Sequence, residues 1–287
     1  MGQLETHNGE YIIGPLLGRG GMGQVHAARH ASGRRVVVKR LRDTLVLDGR
    51  LHDRLGHEGR VSRRVSHPNV VRVFDHGVSA DGTPFIVMEH ARGTTLRKLI
   101  HDQAPLPLSR IRGLIAQLLA GLSAIHAAGV VHADIKSSNL IVDTGGGRDH
   151  LTIIDFGLAR TQTAWLSASE GIAVGTPEYM APEVFRGELP TVRADVYSAA
   201  IVAYELLAGV TPFAGEAPLE VLHRQLAEDI ELPADARAQI SPELERVLYR
   251  ALERDPARRY PDARSFAAAF DTAVDRQLRA SITAVCE

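Results

Sequence analysis

The pattern of apolar residues changes once along the chain, close to residue 90. Before that point the sequence has short apolar runs that are typical of β-strands, at 11–18, 24–30, 34–41, 70–76 and 84–90. Ser32 and Gly33 supply a hairpin turn between two of these runs, and residues 47–65 have the spacing of a polar helix. We therefore expect the first part of the chain to form a small antiparallel sheet with one helix.

After Gly93 the apolar residues recur with helical spacing instead. The predicted helices cover residues 108–128, 192–208, 242–254 and 262–279. A β-like insert with the sequences LIVD and LTIID separates the first two of them. These features predict an α+β protein in which a strand-rich half, about 11–90, precedes a larger helical half, about 91–280, with a ligand cleft between the halves.

Composition and charge exclude several classes of protein. Of the 287 residues 45% are apolar, and 33 basic residues nearly balance 34 acidic ones. Disorder and a generally basic nucleic-acid-binding protein are therefore not expected. The positive excess within residues 29–64 is interpreted as a solvated face or, failing that, as a contact for a protein partner. The single cysteine, Cys286, excludes an internal disulfide and a multi-thiolate metal site and fits a reducing compartment.

The sequence gives no sign of a membrane segment. Its longest apolar stretch, residues 111–131, contains Arg112, Gln117 and His126, so we expect a buried core helix there. The N-terminus is polar and lacks the features of a signal peptide. The expected location is the cytoplasm.

Gly18, Gly20 and Gly23, with Gly21 between them, form a G-x-G-x-x-G pattern. The pattern alone is also compatible with a plain tight turn. A Rossmann site would need a helix directly after the glycines, but residues 24–30 alternate like a strand, and the lysine of a Walker loop does not follow. The remaining interpretation is a glycine-rich hairpin whose backbone N–H groups lie over phosphates.

Further motifs follow in a fixed order. They are Val37-Val38-Lys39, His67-Pro68-Asn69, His132-Ala133-Asp134 with Lys136 and Asn139, Asp155-Phe156-Gly157, residues 175–183 (GTPEYMAPE) and Asp195-Val196-Tyr197-Ser198. From about Tyr11 to Phe270 the sequence resembles a eukaryotic-like (Hanks-type) bacterial serine/threonine protein kinase domain. It departs from the family pattern at Ala133, where the family has arginine. The resemblance implies a single bilobed protein-kinase-like domain over residues 1–287, in which the one N-terminal helix is regulatory.

The resemblance implies the catalytic and metal-binding residues. Asp134 would orient the acceptor hydroxyl and take its proton, and Lys136 would neutralise the moving γ-phosphoryl group. Asn139 and Asp155 would bind Mg²⁺, with Asp155 as the main ligand. His132 is interpreted as a structural residue packed on Phe156 rather than as a general base.

Two structural pairings are also implied. Asp195 would hold the backbone of the catalytic loop from the next helix. Glu183 would pair with Arg259 of the late motif at residues 255–260.

ATP would be bound mainly by the strand-rich half. Lys39 would hold the α- and β-phosphates and pair with Glu58, Met88 would be the gatekeeper, and Glu89 to Ala91 would offer backbone groups to adenine. Ile141 would lie below the adenine ring. For the apolar residues Val25, Val37, Met88 and Ile141, ordinary packing in the core is an alternative role that is compatible with nucleotide binding. The full expected set is Leu17, Gly18, Gly20, Gly21, Gly23, Val25, Val37, Lys39, Glu58, Met88, Glu89, Ala91 and Ile141.

The implied function is ATP- and Mg²⁺-dependent phosphorylation of Ser/Thr hydroxyls in protein substrates, as part of bacterial signalling. A pseudokinase scaffold is one alternative, although Lys39, Asp134 and Asp155 are all present. A small-molecule phosphotransferase is another, although such enzymes usually lack the segment ending in Ala-Pro-Glu. Three glycines, at positions 49, 56 and 59, weaken the predicted helix that carries Glu58. We therefore expect a partner, such as a second copy docked on the N-terminal half, to stabilise the active arrangement.

Overall fold

The computed structural model describes residues 3–6, 9–19, 23–41, 63–155, 177–213 and 218–286. The chain divides into two compact units, Met1–Arg92 and Gly93–Glu287. This division lies at the point where the sequence changes from strand spacing to helical spacing.

In the described part of the first unit, six strands form one antiparallel sheet in the order β1-β2-β3-β4-β6-β5. The strands are β1 (Gln3–Thr6), β2 (Gly9–Arg19), β3 (Gly23–His30), β4 (Arg35–Leu41), β5 (Val73–Val78) and β6 (Pro84–Glu89). The apolar runs of the sequence predict all of these except β1. That strand escapes prediction because Leu4 is its only apolar residue, so no alternation marks it.

One face of this sheet carries the core of the first unit. Strand β1 pairs with β2 and also contacts β5, at the other edge of the sheet, so the sheet curls around its apolar side chains. The buried cluster consists of Leu4, Tyr11, Ile13, Ala28, Val36, Val38, Phe85 and Val87. Because strand side chains alternate between faces, this core leaves the opposite face of β4 for Val37 and Lys39.

The second unit is mainly helical, as its sequence predicts. Its helices are α1 (Leu96–Gln103), α2 (Leu108–Ala127), α3 (Pro182–Phe185), α4 (Val192–Ala208), α5 (Pro218–Ala227), α6 (Ala234–Ala238), α7 (Pro242–Ala251) and α8 (Ala263–Cys286). Helix α8 continues well beyond the predicted end at Arg279, whereas α7 stops at Ala251 instead of Arg254. The second difference arises because Asp255 caps a separate 3₁₀ turn by accepting a hydrogen bond from Ala257 N.

A small three-stranded sheet accompanies these helices. Its strands are β7 (Thr94–Thr95), β8 (Leu140–Asp143) and β9 (His150–Ile153), in that order. The last two are the β-like insert of the sequence. Gly93 lies so close to β8 that a Cβ there would approach the carbonyl oxygen of Val142 to 2.1 Å, and its φ is 114°. Only glycine fits both conditions.

The centre of the second unit is α4, in which every residue from Ala194 to Leu206 is buried. Thr191 caps its N-terminus and Gly209 ends it in the left-handed conformation. Helix α2 packs against α4, α8 and β9. By length and composition α2 is the one helix in the described residues that could cross a membrane. Its Leu and Ile side chains from Ile111 to Ile125 are buried inside the unit, as expected of a core helix.

Candidate active site

The register of the first sheet collects four of the predicted nucleotide-binding residues on one face. Val25 lies opposite Lys39, and Val37 lies opposite Met88. Directly opposed residues of antiparallel strands share a face, and Val37 and Lys39 are two residues apart on β4. Val25, Val37, Lys39 and Met88 therefore point to the side away from the apolar core of this unit.

The glycine-rich segment contains glycines of two kinds. A Cβ on Gly23 would come within 2.8 Å of the Arg40 carbonyl oxygen, so the packing of β3 on β4 requires glycine there. Among the described residues nothing lies within 4 Å of a Cβ placed on Gly18, which is opposite Val25. Packing therefore gives no reason for glycine at position 18, whereas a ligand lying close to the backbone would. Leu17 beside it is exposed.

Three of the expected residues, Gly20, Gly21 and Glu58, lie outside the described residues. Glu89 is the last residue of β6, and Ala91 follows two residues later. The Glu89 N–H donates to the Arg72 carbonyl oxygen at 2.8 Å. A hydrogen bond between the Glu89 backbone and a base would therefore have to be accepted by the Glu89 carbonyl oxygen.

In the second unit Asp134, Lys136 and Asn139 are in direct contact. Lys136 Nζ lies 3.0 Å from Asp134 Oδ1 and 2.8 Å from Oδ2. Asn139 Nδ2 donates to Asp134 Oδ2 and to the Asp134 carbonyl oxygen, both at 2.9 Å. All three side chains are largely shielded from solvent. The cluster therefore holds one carboxylate in a fixed orientation beside one ammonium group.

Asp195 fixes the backbone just before this cluster, as predicted. Its Oδ2 accepts from His132 N and its Oδ1 from Ala133 N, both at 2.8 Å, and His126 Nε2 lies 2.8 Å from Oδ2. Ala133 has a φ of 59°, which is unfavourable for a residue with a Cβ. The two charge-assisted hydrogen bonds offset this cost and set the direction in which Asp134 leaves the backbone.

His132 is completely buried, which supports a structural role. Burial is the main influence on its imidazole and lowers the pKa of His132 below the usual value, so the neutral form is favoured. Its Nδ1 accepts from Asp134 N at 3.3 Å. The predicted packing partner, Phe156, lies outside the described residues.

The two expected metal ligands lie at the same end of the β8–β9 hairpin. Leu140 pairs with Ile153, and Ile154 N donates to the Asn139 carbonyl oxygen at 2.9 Å. Asp155 is the next residue and has a φ of 59°. Since Asn139 Nδ2 is bonded to Asp134, the amide oxygen is the Asn139 atom that suits a hard cation. Ile141 lies on β8, opposite Thr152.

A buried network lies beside the segment that carries Asp134, Lys136 and Asn139, and the sequence did not predict it. Glu205 of α4 accepts from Ser137 Oγ at 2.9 Å and from Tyr179 OH at 2.7 Å. Burial raises the pKa of Glu205 above its usual range, and these two hydrogen bonds oppose the shift in part. The signal in the sequence is a single acid within the apolar run at residues 199–207.

The predicted Glu183–Arg259 pair is present. Arg259 Nη1 and Nη2 meet the two carboxylate oxygens of Glu183 at 2.7 Å each, and the guanidinium carbon lies 4.8 Å from the centre of the Tyr197 ring. The pair joins α3 to the segment between α7 and α8 and has a structural role.

The chain is similar to known bacterial kinases. It is 37% identical to the serine/threonine-protein kinase pkn3 of Myxococcus xanthus over 94% of this chain and 51% of that protein. It is 35% identical to PknB of Mycobacterium leprae over 88% of this chain and 41% of that protein. The chain thus spans about half the length of these curated relatives or less.

Comparison with solved structures and with protein families also leads to protein kinases. The crystal structure of the PknI kinase domain of Mycobacterium tuberculosis matches with a TM-score of 0.72 at 26% identity, covering 92% of this chain and 95% of that chain. The protein kinase domain family matches residues 11–269. The arrangement of an antiparallel sheet unit followed by a helical unit is that of the bilobed kinase fold. The chain therefore belongs to the protein kinase domain family and is a Hanks-type serine/threonine kinase domain of the bacterial kind.

Proposed function

We propose that the single domain formed by the two units transfers the γ-phosphoryl group of ATP to Ser/Thr hydroxyls of protein substrates in bacterial signalling. The observation that carries this proposal is the contact between Asp134, Lys136 and Asn139. A carboxylate, an ammonium group and an amide held together at the end of a strand hairpin suit the transfer of a phosphoryl group between oxygens. The kinase relatives supply the substrate class.

Asp134 is the proposed catalytic base. The acceptor oxygen forms a bond to the γ-phosphorus while the bond from that phosphorus to the bridging oxygen of ADP breaks, and the hydroxyl proton passes to the Asp134 carboxylate. Asn139 and Lys136 hold this carboxylate on one side. The orientation of Asp134 is therefore set before a substrate arrives, which lowers the entropic cost of the reaction.

Lys136 is the proposed electrostatic partner of the transferred group. Its ammonium is already placed beside Asp134, so positive charge lies near the negative charge that spreads over the phosphoryl oxygens. In the first unit Lys39 is proposed to bind the α- and β-phosphates and to pair with Glu58. Val25, Val37 and Met88, on the same sheet face, would contact adenine with Leu17, Ile141 and the backbone of Glu89 and Ala91. Gly18, Gly20, Gly21 and Gly23 would let the backbone approach the phosphates.

Asn139 and Asp155 are proposed to hold Mg²⁺. An amide oxygen and a carboxylate at one hairpin end are hard oxygen donors, which this ion prefers, and phosphates and water commonly complete its shell. When bound, Mg²⁺ would neutralise phosphate charge. The described residues contain no group of three or more His, Cys, Asp or Glu side chains suited to a metal ion.

Aspartate-to-asparagine variants test these roles. Asp134→Asn should lower kcat on a protein acceptor by about 10²–10⁴-fold, the usual contribution of a general base, while ATP binding persists. Asp155→Asn should weaken both Mg²⁺-dependent ATP binding and turnover. Radiolabelled phosphate transfer and calorimetric nucleotide binding measure the two effects. Asp143→Asn, at the last residue of β8, is the matched control; its side chain accepts from Gly145 N in the following turn, so turnover should be near normal.

The same assay separates the alternatives. Near-normal turnover by Asp134→Asn would contradict the assignment of the base. ATP binding without transfer to any acceptor would identify a scaffold, and transfer only to small molecules would identify a different phosphotransferase.

We also propose a cytoplasmic location for this domain and association of two copies through the first unit. Among the described residues of that unit, four large apolar side chains are exposed, those of Ile12, Leu16, Leu17 and Val78. A second copy is proposed to stabilise the Lys39–Glu58 pair.

A further inference from the structure

The turn formed by Pro177–Tyr179 and Met180, called here the Tyr179 turn, is held on two sides by groups already described. On one side Tyr179 OH bonds to Glu205, and its oxygen lies 3.0 Å from Ser137 Oγ in the catalytic loop. On another side Ser198 Oγ donates to the Tyr179 carbonyl oxygen at 2.7 Å. Since Ser137 follows Lys136 directly, the Tyr179 turn borders the place where an acceptor hydroxyl must reach Asp134.

A third contact comes from Gln225 on helix α5. Its Nε2 lies 3.1 Å from the Met180 carbonyl oxygen and 3.4 Å from each of the Pro177 and Glu178 carbonyl oxygens. Carbonyl oxygens only accept hydrogen bonds, so they fix this end of the side chain as the NH₂ group. The residue is 1% exposed. The two N–H donors of this buried amide are therefore shared among three carbonyl oxygens of the turn, and removing them takes away the side-chain donors that α5 supplies there.

The helix end that carries Gln225 is itself anchored. Arg254 Nε donates to the Gln225 carbonyl oxygen at 3.2 Å, and the Arg254 carbonyl oxygen accepts from Arg259 Nη2 at 3.2 Å. Arg259 in turn holds Glu183 of α3, a few residues after the Tyr179 turn. Polar contacts thus run from the turn through α5 and the segment after α7 and back to the chain that follows the turn. In this series of contacts Gln225 is the side chain that hydrogen-bonds to the turn itself.

We propose that Gln225 is a positioning residue for the protein acceptor. By holding the carbonyl groups of the Tyr179 turn it fixes the surface along which the acceptor peptide lies, while Asp134, Lys136 and the nucleotide-binding residues are anchored by other contacts. This inference rests on the proposed function. It assigns to α5 a specific part in substrate recognition. A displacement of α5 would move the Gln225 amide, and with it the carbonyl groups of the Tyr179 turn.

The variant Gln225→Met tests the proposal, since methionine has nearly the same length but no N–H donor. We expect the KM for a serine-containing peptide to rise at least about tenfold, which is about 1.4 kcal/mol, while kcat and the KM for ATP change less than about twofold. Gln239→Met is the matched control. Gln239 is exposed, and its Nε2 donates to the Asp235 carbonyl oxygen within the same unit.

Hydrogen exchange gives a second measurement that does not depend on activity. Met180 N donates to the Pro177 carbonyl oxygen at 3.1 Å, so its amide reports on the turn. In Gln225→Met this amide should exchange faster while the amides of α4 keep their protection. An unchanged peptide KM in an active enzyme, or unchanged exchange at Met180, would overturn the inference. A rise in both KM values together with a fall in kcat and in the protection of α4 would also overturn it, because these changes indicate general destabilisation. An inactive wild-type chain with faster exchange only in the variant would instead refute the proposed function and keep the link between α5 and the turn.

Discussion

The guanidinium of Arg259 is completely buried, and each of its five N–H donors has an acceptor. Two are the carboxylate oxygens of Glu183, and three are the carbonyl oxygens of Arg193, Glu253 and Arg254. A buried charge is tolerated only when it is paired and its donors are satisfied. The rigid fork of arginine meets this condition here, and the three donors of a lysine could not.

Arg259→Met should therefore be strongly destabilising. Methionine fills much of the space but leaves Glu183 as an unpaired buried carboxylate, which costs about 3–5 kcal/mol. For a unit of this size that corresponds to a decrease in Tm of roughly 6–20 °C. Thermal unfolding followed by circular dichroism measures the change.

The control for this variant is Arg279→Met on helix α8. Arg279 Nε lies 2.7 Å from Asp275 Oδ2, but its side chain is exposed, so the pair should contribute at most about 1 kcal/mol. Equal shifts in Tm for the two variants would show that burial does not set the energy of the Arg259 pair.

At the scale of elements, the sequence predicts those whose signals are local. Helices α2 and α4 were located almost to the residue, because each combines helical spacing with a clear end, such as Thr191 and Gly209 for α4. The hairpin at Gly33 and the strands β8 and β9 were also predicted. Asp195, Glu183 and Arg259 were assigned from sequence motifs, and the structure confirms their contacts.

Elements and contacts that depend on packing could not be predicted. The sequence around Val36 and Val38 of β4 does not indicate that Leu4, more than 30 residues earlier, belongs to the same buried cluster. Gln225 looks like any polar residue of a surface helix until α5 packs beside the Tyr179 turn. Glu205 is a lone acid in an apolar run of the sequence, but its partners Ser137 and Tyr179 come from distant segments that meet only in the folded unit.

The N-terminus of α8 offers a prediction about pH. Asp262 Oδ1 accepts from Ser265 N at 2.7 Å, and this hydrogen bond lowers the pKa of Asp262. Asp262→Ala should cost about 1 kcal/mol at pH 7. The difference between wild type and variant should be complete well above about pH 4, where the unfolded carboxyl is ionised, and should fall to the smaller contribution of a neutral cap as the pH drops through the lowered folded pKa.

Denaturant unfolding at several pH values measures this difference. Ser241→Ala is the matched control, because Ser241 caps α7 by accepting from Leu244 N at 3.2 Å and has no ionisable group. Its cost should not depend on pH. A cost for Asp262→Ala that stays constant down to pH 2 would contradict the role of the charge.

At the scale of the whole molecule, two features favour association of two copies. The formal net charge is −1, so long-range repulsion between copies is weak. In the first unit Ile12 is 46% and Val78 60% exposed, and burying such side chains is favourable. The proposed dimer would use this unit, because Glu58, which the sequence predicts to lie on a glycine-containing helix, belongs to it.

The specific activity should therefore rise with protein concentration. Between about 10 nM and 10 μM, a range around a Kd of about 1 μM or −8 kcal/mol, turnover per mole should increase in parallel with the dimer fraction from sedimentation. The double variant Ile12→Arg with Val78→Arg should remain monomeric and keep the low activity, since association would bury unpaired charges. Leu189→Arg, at a residue that is 57% exposed in the second unit, is the control and should behave like wild type. A wild-type chain that stays monomeric, or that dimerises without any gain in turnover, would show that the Lys39–Glu58 arrangement does not depend on a second copy.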